Sequence, residues 1–408
     1  MARLLLTCSA LLLASFASAQ QAGGVTAYTH ATILPGGQPA LTDGTLIVSG
    51  DKILAVGGAS LPVPEGATVV DCTGKTITPG LIDASFVGTS RGQDLNEQSD
   101  EVTPHLRIVD SLDPEDPVFL RARRNGVTAV HVMPGTQNVI GGLGCVVKTH
   151  GQSPSKMLLK ADASLRITLG ADPSRGNRSI GGGRIESMYY RRPTSRMGVI
   201  WEVRRAFYDA KEALQQTQGA PNPTPPSPGT EVLTQVLQGK LTAVTTARSE
   251  QDLRTALRIA EEFGYETVID EAQDAYLVAD ELADKKATVM LGAPSALEES
   301  GSRDGASPRS GTVRVLAERG VTFVITTGTN TEALPLVREA MFAERFGLGP
   351  AKALDAVTIE PAKLLGVADR TGSLAKGKDA DFVIWSHDPL DPAAVAESVH
   401  IDGISVLQ

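Results

Sequence analysis

The histidines are the side chains of this chain best suited to hold a catalytic metal or to carry a proton near neutral pH. All six stand alone, with no H-x-H or H-x-x-x-H pair that would bring two imidazoles onto one metal ion. His131 lies on a predicted strand, close to its C-terminal end. Because an isolated strand histidine is more often a core or surface residue than a ligand, the local spacing predicts no metal site.

Signatures of nucleophilic catalysis are also missing from the sequence. There is no G-x-S-x-G elbow, and neither Cys72 nor Cys145 has the neighbours typical of a reactive thiol. These two cysteines could pair in an oxidising compartment, but a sequence does not show whether their Cα atoms come within about 7 Å. We expect two separately buried thiols.

The composition is that of a soluble globular protein. The 408 residues are 41% hydrophobic and 21% charged, and the formal net charge is −9. This length suits one large α/β barrel with a smaller appendage. The basic residues are scattered rather than blocked, which argues against a nucleic-acid partner. Three cysteines are too few for a disulfide-framed scaffold or a cysteine-rich zinc module.

The first nineteen residues have the pattern of a secretory signal peptide. Arg3 precedes a thirteen-residue apolar run, and the small residues Ala17, Ser18 and Ala19 come before Gln20. As a helix this run would rise about 20 Å, less than the ~30 Å hydrocarbon core, so a membrane anchor is disfavoured. We therefore expect export to the periplasm or beyond, without membrane association after residues 1–19 are removed.

Both ends of the mature chain are rich in short predicted strands. The predicted strands are Thr26–Thr32, Thr45–Val48, Ile53–Val56, Thr68–Asp71, Asp381–Trp385, Val399–Ile401 and Ile404–Leu407. The Asp402-Gly403 turn predicts a hairpin between the last two. Residues 20–79 and 370–408 are therefore predicted to form one small composite β domain.

The middle of the chain, residues 80–369, alternates predicted strands and helices, which favours a parallel sheet closed into a barrel. The predicted strands are Leu81–Val87, Val127–Met133, Thr242–Thr246, Thr267–Asp270, Thr288–Leu291 and Val321–Thr326. The predicted helices are Pro117–Asn125, Met197–Gln218, Gln251–Phe263, Ala275–Lys285, Gly311–Glu318 and Thr331–Phe346. Residues 219–229 contain five prolines and are predicted to be an irregular surface spacer.

Two motifs at the borders of this middle part carry a family resemblance. Residues 78–84 (TPGLIDA) resemble the opening of the barrel in the metal-dependent amidohydrolase superfamily. Residues 372–381 (GSLAKGKDAD) resemble its closing signature, and Asp402-Gly403 its last hairpin. Segments similar to the imidazolonepropionase-like branch are 125–128, 138–144, 192–198, 256–263 and 275–282. The resemblance implies an α/β fold, a (β/α)8 TIM-type barrel plus a small composite β-sandwich built from both termini.

The resemblance also implies hydrolysis of C–N bonds, in amides of small molecules or dipeptides, with zinc or another divalent metal at the C-terminal ends of the strands. The H-x-H positions of the family are Ser85 and Val87 here. Its later ligands, a modified lysine, two histidines and an aspartate, match in order Arg166, Thr246, Glu271 and Gly328. Only Glu271 among these six is a good ligand for a divalent metal, and one carboxylate does not hold a catalytic ion. We therefore predict no metal cofactor.

Two functional hypotheses follow from this pattern. The first is a catalytically degenerate homologue that acts as a binding module for an unknown small molecule or as the inactive partner of an active paralogue, in a homo- or hetero-oligomer. The second is an active amidohydrolase with a non-standard site. Its candidate residues are Glu271 and Asp83 with His131, and Arg248 as a clamp for a developing oxyanion.

Overall fold

The computed structural model of the protein describes residues 24–90, 95–97, 99–175, 192–219, 226–295, 311–328 and 335–407. The predicted signal peptide lies outside these residues. The strands of the described part are, in chain order, β1 (Val25–Ile33), β2 (Leu41–Ser49), β3 (Lys52–Gly57), β4 (Thr68–Asp71), β5 (Thr76–Pro79), β6 (Leu81–Phe86), β7 (Val127–Val132), β8 (Ile140–Lys148), β9 (Leu158–Thr168), β10 (Thr242–Ala247), β11 (Thr267–Glu271), β12 (Thr288–Gly292), β13 (Thr322–Thr326), β14 (Phe382–Trp385), β15 (Ala396–Ile401) and β16 (Ile404–Ser405).

One sheet is built from both ends of the chain. Its order is β16-β15-β14-β5-β1-β2-β3, with β4 pairing to β1. The antiparallel pairing of β5 with β14 joins the N-terminal strands to the C-terminal ones. β15 and β16 form the hairpin predicted at Asp402-Gly403, where both residues have positive φ. The composite terminal unit is thus confirmed, as one continuous sheet.

The second sheet is a nearly closed eight-stranded barrel with the order β13-β12-β11-β10-β9-β8-β7-β6. β13 lies against β6, and hydrogen bonds from Thr327 to Asp83 join the two edges. The predicted α/β barrel is confirmed, with one departure from strict (β/α)8 order. β8 pairs antiparallel to both β7 and β9, and no helix separates β7 from β8.

Helices cover the outside of the barrel. Those of the described residues are α1 (Pro117–Arg124), α2 (Pro154–Met157), α3 (Arg196–Gly219), α4 (Pro228–Leu237), α5 (Glu250–Phe263), α6 (Ala279–Asp284), α7 (Thr312–Glu318), α8 (Leu336–Ala343), α9 (Pro350–Asp355) and α10 (Ile359–Leu365). Ser249 caps α5 by accepting from the Asp252 N–H, and the left-handed Gly264 ends it.

Three sequence predictions for helices and loops need correction. The helix predicted at Ala275–Lys285 is a 3-10 turn followed by the shorter α6, because Val278 leaves the helical region between them. The helix predicted at Thr331–Phe346 gives the described α8 and then a π-helical turn, Glu344–Leu348. The predicted spacer 219–229 is helical at its end, because Ser227 caps α4 and Pro228 occupies the first helical position, where proline is tolerated.

The interior of the barrel is apolar in its lower layers. Its buried side chains are Ile82, Ala84, Ala129, Met133, Val146, Ala163, Val244, Val268, Met290 and Val324, joined by Ala362, Leu365 and Val367 of α10 and the turn after it. Gly80 lies at the junction of the two sheets, where an added Cβ would come within 1.9 Å of Thr128 Oγ1. Only glycine therefore fits there.

Cys72 and Cys145 are both free and buried, as expected. Cys72 lies in the core of the terminal sheet, and Cys145 on β8 lies in the layer between the barrel and its helices. Across the described ranges no helix combines the length and the apolar character that crossing a bilayer requires.

Candidate functional site

The polar side chains of the barrel gather at the C-terminal ends of its parallel strands. Val244 and Val268 point into the barrel, so Thr246 and Asp270, two residues further along the same strands, point inward as well. Thr246 pairs in register with Asp270 on one side and with Thr168 on the other. Thr168, Thr246 and Asp270 therefore form one row across β9, β10 and β11, which we call the polar row. This is the rim where barrel enzymes carry their active sites.

Arg166 forms a buried ion pair with Asp270 of the polar row. Arg166 precedes Thr168 by two residues on β9, and its Nη2 lies 3.1 Å from Asp270 Oδ2. Both side chains are at most 2% exposed. Arg166 Nη1 also donates to Met133 Sδ at 3.5 Å. Burial raises the pKa of Asp270, and the charge of Arg166 opposes that shift.

Asp83 lies inside the same rim, at the seam between β6 and β13. Its carboxylate accepts from the Thr327 hydroxyl at 2.5 Å, from the Thr327 N–H at 3.3 Å and from the Ser85 N–H at 3.2 Å. Burial raises the pKa of Asp83 to about 7, although these hydrogen bonds act to lower it. A carboxyl group with a pKa near neutral can hold or release a proton at physiological pH.

Arg248 joins two carboxylates at the edge of the mouth. Its Nη1 lies 2.7 Å from Asp172 Oδ2, and its Nε donates to Glu271 Oε2. Burial acts to lower the pKa of Arg248, but the charges of Glu271 and Asp172 outweigh burial and raise it. Glu271 adopts a left-handed backbone with φ of 69°, a conformation that costs about 1–3 kcal/mol in a non-glycine residue. In this conformation the Glu271 carboxylate reaches the Arg248 guanidinium and forms an ion pair with it.

His131 is bonded at both ring nitrogens. Nδ1 lies 2.9 Å from the Ala84 carbonyl oxygen, and Nε2 lies 2.9 Å from Ser164 Oγ. Because the ring is fully buried, the pKa of His131 falls to about 4, and the side chain is neutral at pH 7. The structure thus places His131 in the barrel interior as a hydrogen-bonded core residue, without an open nitrogen for a substrate or a metal.

The six positions that the resemblance predicts to match the family's metal ligands do not form a ligand set. Ser85 and Thr246 offer neutral hydroxyls, Val87 is apolar, and Gly328 has no side chain. Arg166 is a cation paired to Asp270, and Glu271 is paired to Arg248. Across the described residues no three histidine, cysteine or acidic side chains group closely enough to hold a metal ion. This donor chemistry does not fit a divalent metal.

Sequence reasoning missed Asp270, Asp172 and Thr168 as site residues. The signal for Asp270 is present in the sequence, since it alternates with the inward-facing Val268 at the end of a predicted strand. Thr168 ends β9 and Asp172 follows it, and the sequence did not indicate this strand. Of the predicted residues, the structure brings Glu271 and Arg248 together and places Asp83 near Asp270, whose charge raises the pKa of Asp83 further.

The barrel with its polar rim and the sheet built from both chain ends define the class of protein as a TIM-type α/β barrel with a composite terminal sheet. The sequence profile of the Amidohydrolase family matches residues 273–404. A solved amidohydrolase from Thermotoga maritima is 32% identical, with a TM-score of 0.83 over 94% of this chain and 100% of that one. The chain belongs to the amidohydrolase family.

Other relatives match less completely. The amidohydrolase tasK of Hapsidospora irregularis is 28% identical over 373 residues, so the chain spans 37% of the length of that protein. Imidazolonepropionase of Shewanella baltica is 34% identical over 94 residues, 22% of either protein. A solved Xaa-Pro dipeptidase with bound methionine is 15% identical with a TM-score of 0.60, which shows the fold alone.

Proposed function

We propose that this chain is a catalytically degenerate amidohydrolase, a metal-independent module that binds a small molecule at the barrel mouth. The observation that carries the proposal is the buried ion pair between Arg166 and Asp270. A guanidinium stays protonated at any physiological pH and offers no lone pair to a metal. A divalent cation at Asp270 would lie next to that positive charge in a low-dielectric interior, where repulsion between cations is strong.

The proposal is tested by adding metal and substrate together. We expect no turnover of dipeptides or cyclic amides by the purified protein, with or without added zinc or manganese, above the rate measured in buffer without protein. Turnover by the wild type that rises with metal and disappears on chelation would overturn the proposal.

A second candidate function, metal-free hydrolysis, is favoured by the pKa of Asp83 near 7. In this case Asp83 would act as the general base, and Arg248 would stabilise the oxyanion. Without a Lewis acid such an enzyme would lack several kcal/mol of transition-state stabilisation and would be slow. Metal-independent turnover that Asp83→Asn or Glu271→Ala abolishes, with the fold retained by circular dichroism, would establish this function and contradict the first.

Export and a protein partner remain proposals of their own. The residue pattern of positions 1–19 supports removal of a signal peptide and a periplasmic or secreted location. N-terminal sequencing of the protein recovered from the periplasm should begin at Gln20, and recovery of an intact Met1 from the cytoplasm would contradict export. An active paralogue as partner is tested by whether the paralogue's activity rises when the two proteins are mixed.

A further inference from the structure

The polar row contains buried groups without hydrogen-bond partners. The hydroxyls of Thr168 and Thr246 are completely buried and make no hydrogen bond within the described part of the chain. The Asp270 carboxylate makes no hydrogen bond of normal geometry, although the Ser85 hydroxyl lies close enough to act on it and to lower its pKa. Because β9, β10 and β11 are adjacent and in register, these groups lie side by side on the inner face of the barrel. Buried polar groups are nearly always paired in native proteins, so a row of them indicates a ligand site.

Arg166 adds unpaired donors to the same place. Its Nε and Nη2 make no aligned hydrogen bond, although Nη2 is in ionic contact with Asp270. Arg166 and Thr168 both belong to β9, whereas Asp270 belongs to β11. The Arg166 side chain therefore reaches across the strand that carries Thr246 to meet Asp270 at the far end of the row, and its Nε and the Thr168 and Thr246 hydroxyls line the space beside this ion pair.

We propose that this row binds a zwitterionic α-amino acid. Its carboxylate accepts hydrogen bonds from the Arg166 guanidinium and the Thr168 hydroxyl, and its ammonium group donates to Asp270 and Thr246. The site and such a ligand are each neutral overall, so binding leaves no net charge in the barrel. The inference rests on the proposed function, because it takes the mouth to be a binding site without metal.

Ligands with only one of the two charges fit the row less well. An amine would leave the Arg166 and Thr168 donors unpaired, and a carboxylic acid would leave the Asp270 acceptors unpaired while adding a negative charge. Discrimination against a ligand that leaves a buried polar group unpaired is large compared with the effect of a missing methylene. The site is therefore expected to bind an amino acid more tightly than the corresponding amine or the corresponding carboxylic acid.

The test is calorimetric titration of the common L-amino acids, each with its decarboxylated amine and its deaminated acid. We expect at least one amino acid to bind at least about tenfold more tightly than either half. Thr246→Val and Thr168→Val keep the side-chain shape and should weaken that binding by about tenfold or more. Thr245→Val is the matched control, because the Thr245 hydroxyl forms a hydrogen bond with Thr267 on the outer face of the barrel. The affinity of this variant for the amino acid should not change.

Three results would overturn the inference. They are the absence of binding by every amino acid, binding of an uncharged amide such as acetamide as tightly as the amino acid, and unchanged affinity in folded Thr246→Val protein. A parallel titration with zinc shows whether a negative result contradicts only the proposed amino-acid ligand or also the proposed metal-free function. If neither zinc nor any amino acid binds, only the inference on the ligand falls, whereas stoichiometric zinc binding would contradict the metal-free module itself.

Discussion

At the scale of single residues, Arg166 decides the character of the mouth. The family resemblance predicts that it stands where the family has a modified lysine, and in the structure its guanidinium forms an ion pair with Asp270. A buried ion pair adds little net stability over an apolar pair, but removal of one partner leaves an uncompensated charge in the barrel. Removal of one partner should therefore lower the free energy of unfolding by a measurable amount.

We expect Arg166→Met to destabilise the protein by about 3–5 kcal/mol, because Asp270 is left buried without its counter-charge. Adding Asp270→Asn to that variant should recover much of the lost stability. Free energies of unfolding in urea measure both variants and complete a double-mutant cycle. A loss in Arg166→Met below about 1 kcal/mol would show that the pair is solvated.

Asp83 and His131 give opposite dependences of stability on pH. Folding raises the pKa of Asp83 from 3.8 to about 7. Its contribution to the free energy of unfolding is therefore full below pH 3.8 and is lost as the pH rises to 7. The pKa of His131 falls from 6.5 to about 4, so its contribution is full above pH 6.5 and is lost as the pH falls to 4. Between pH 4 and 6.5 the two contributions oppose each other.

Asp83→Asn should therefore make the protein lose stability more steeply on acidification from pH 6.5 to 4 than the wild type does. The difference between the two proteins should change by roughly 3–4 kcal/mol across this range, since one pKa unit is about 1.4 kcal/mol. Unfolding free energies at several pH values measure it. Parallel profiles for the two proteins would show that Asp83 titrates at its ordinary pKa.

At the scale of elements, the antiparallel strand β8 links the barrel to the terminal sheet. Lys148 at its end is 2% exposed, and its Nζ lies 2.8 Å from Asp379, 2.9 Å from Asp381 and 2.6 Å from Asp402. Burial acts to raise the pKa of Asp379, but hydrogen bonds from Lys148 and Lys52 lower it to about 2. This cluster bonds residues of the closing signature and of the last hairpin to a barrel strand.

Lys148→Met should destabilise the fold by about 3–5 kcal/mol, because it leaves the buried carboxylate of Asp381 without its counter-charge. Lys52→Met is the matched control, since Lys52 pairs with the same Asp379 but is 43% exposed and should cost about 1 kcal/mol or less. Thermal and urea unfolding compare the two. Equal losses of stability in the two variants would mean that burial of Lys148 does not determine how much its ion pairs stabilise the fold.

The sequence predicted the elements better than it predicted their arrangement. Six of the eight barrel strands, both parts of the terminal sheet and the last hairpin follow from hydrophobic pattern and turn residues. β8 was missed because Gly141, Gly142 and Gly144 interrupt its apolar pattern, and glycine weakens a strand signal. β9 was missed because its first half carries charged residues and a positive φ at Asp162. The antiparallel direction of β8 comes from tertiary packing and has no local signal.

The candidate site was predictable only in part, for a related reason. The sequence alone predicts that Ser85, Val87 and Thr246 stand where the family resemblance implies metal ligands. The pairing of Arg166 with Asp270 cannot, because the two residues are far apart in the chain and meet only when β9, β10 and β11 are in register. Contacts across a barrel depend on strand order, which local pattern does not encode.

At the scale of the whole molecule, the chain has the fold of the amidohydrolase family and a mouth with different chemistry. Fold alone does not establish function, which depends on the residues of the site. The central claim is that this mouth holds no divalent metal, because guanidinium and hydroxyl groups stand where ligands would be needed.

The most direct measurement is the metal content of the purified protein, by elemental mass spectrometry after incubation with zinc and manganese and dialysis against metal-free buffer. The account predicts far less than one equivalent of either metal, unchanged in the Glu271→Ala variant. Near-stoichiometric metal in the wild type that Glu271→Ala removes would contradict the account and return the chain to the metal-dependent hydrolases.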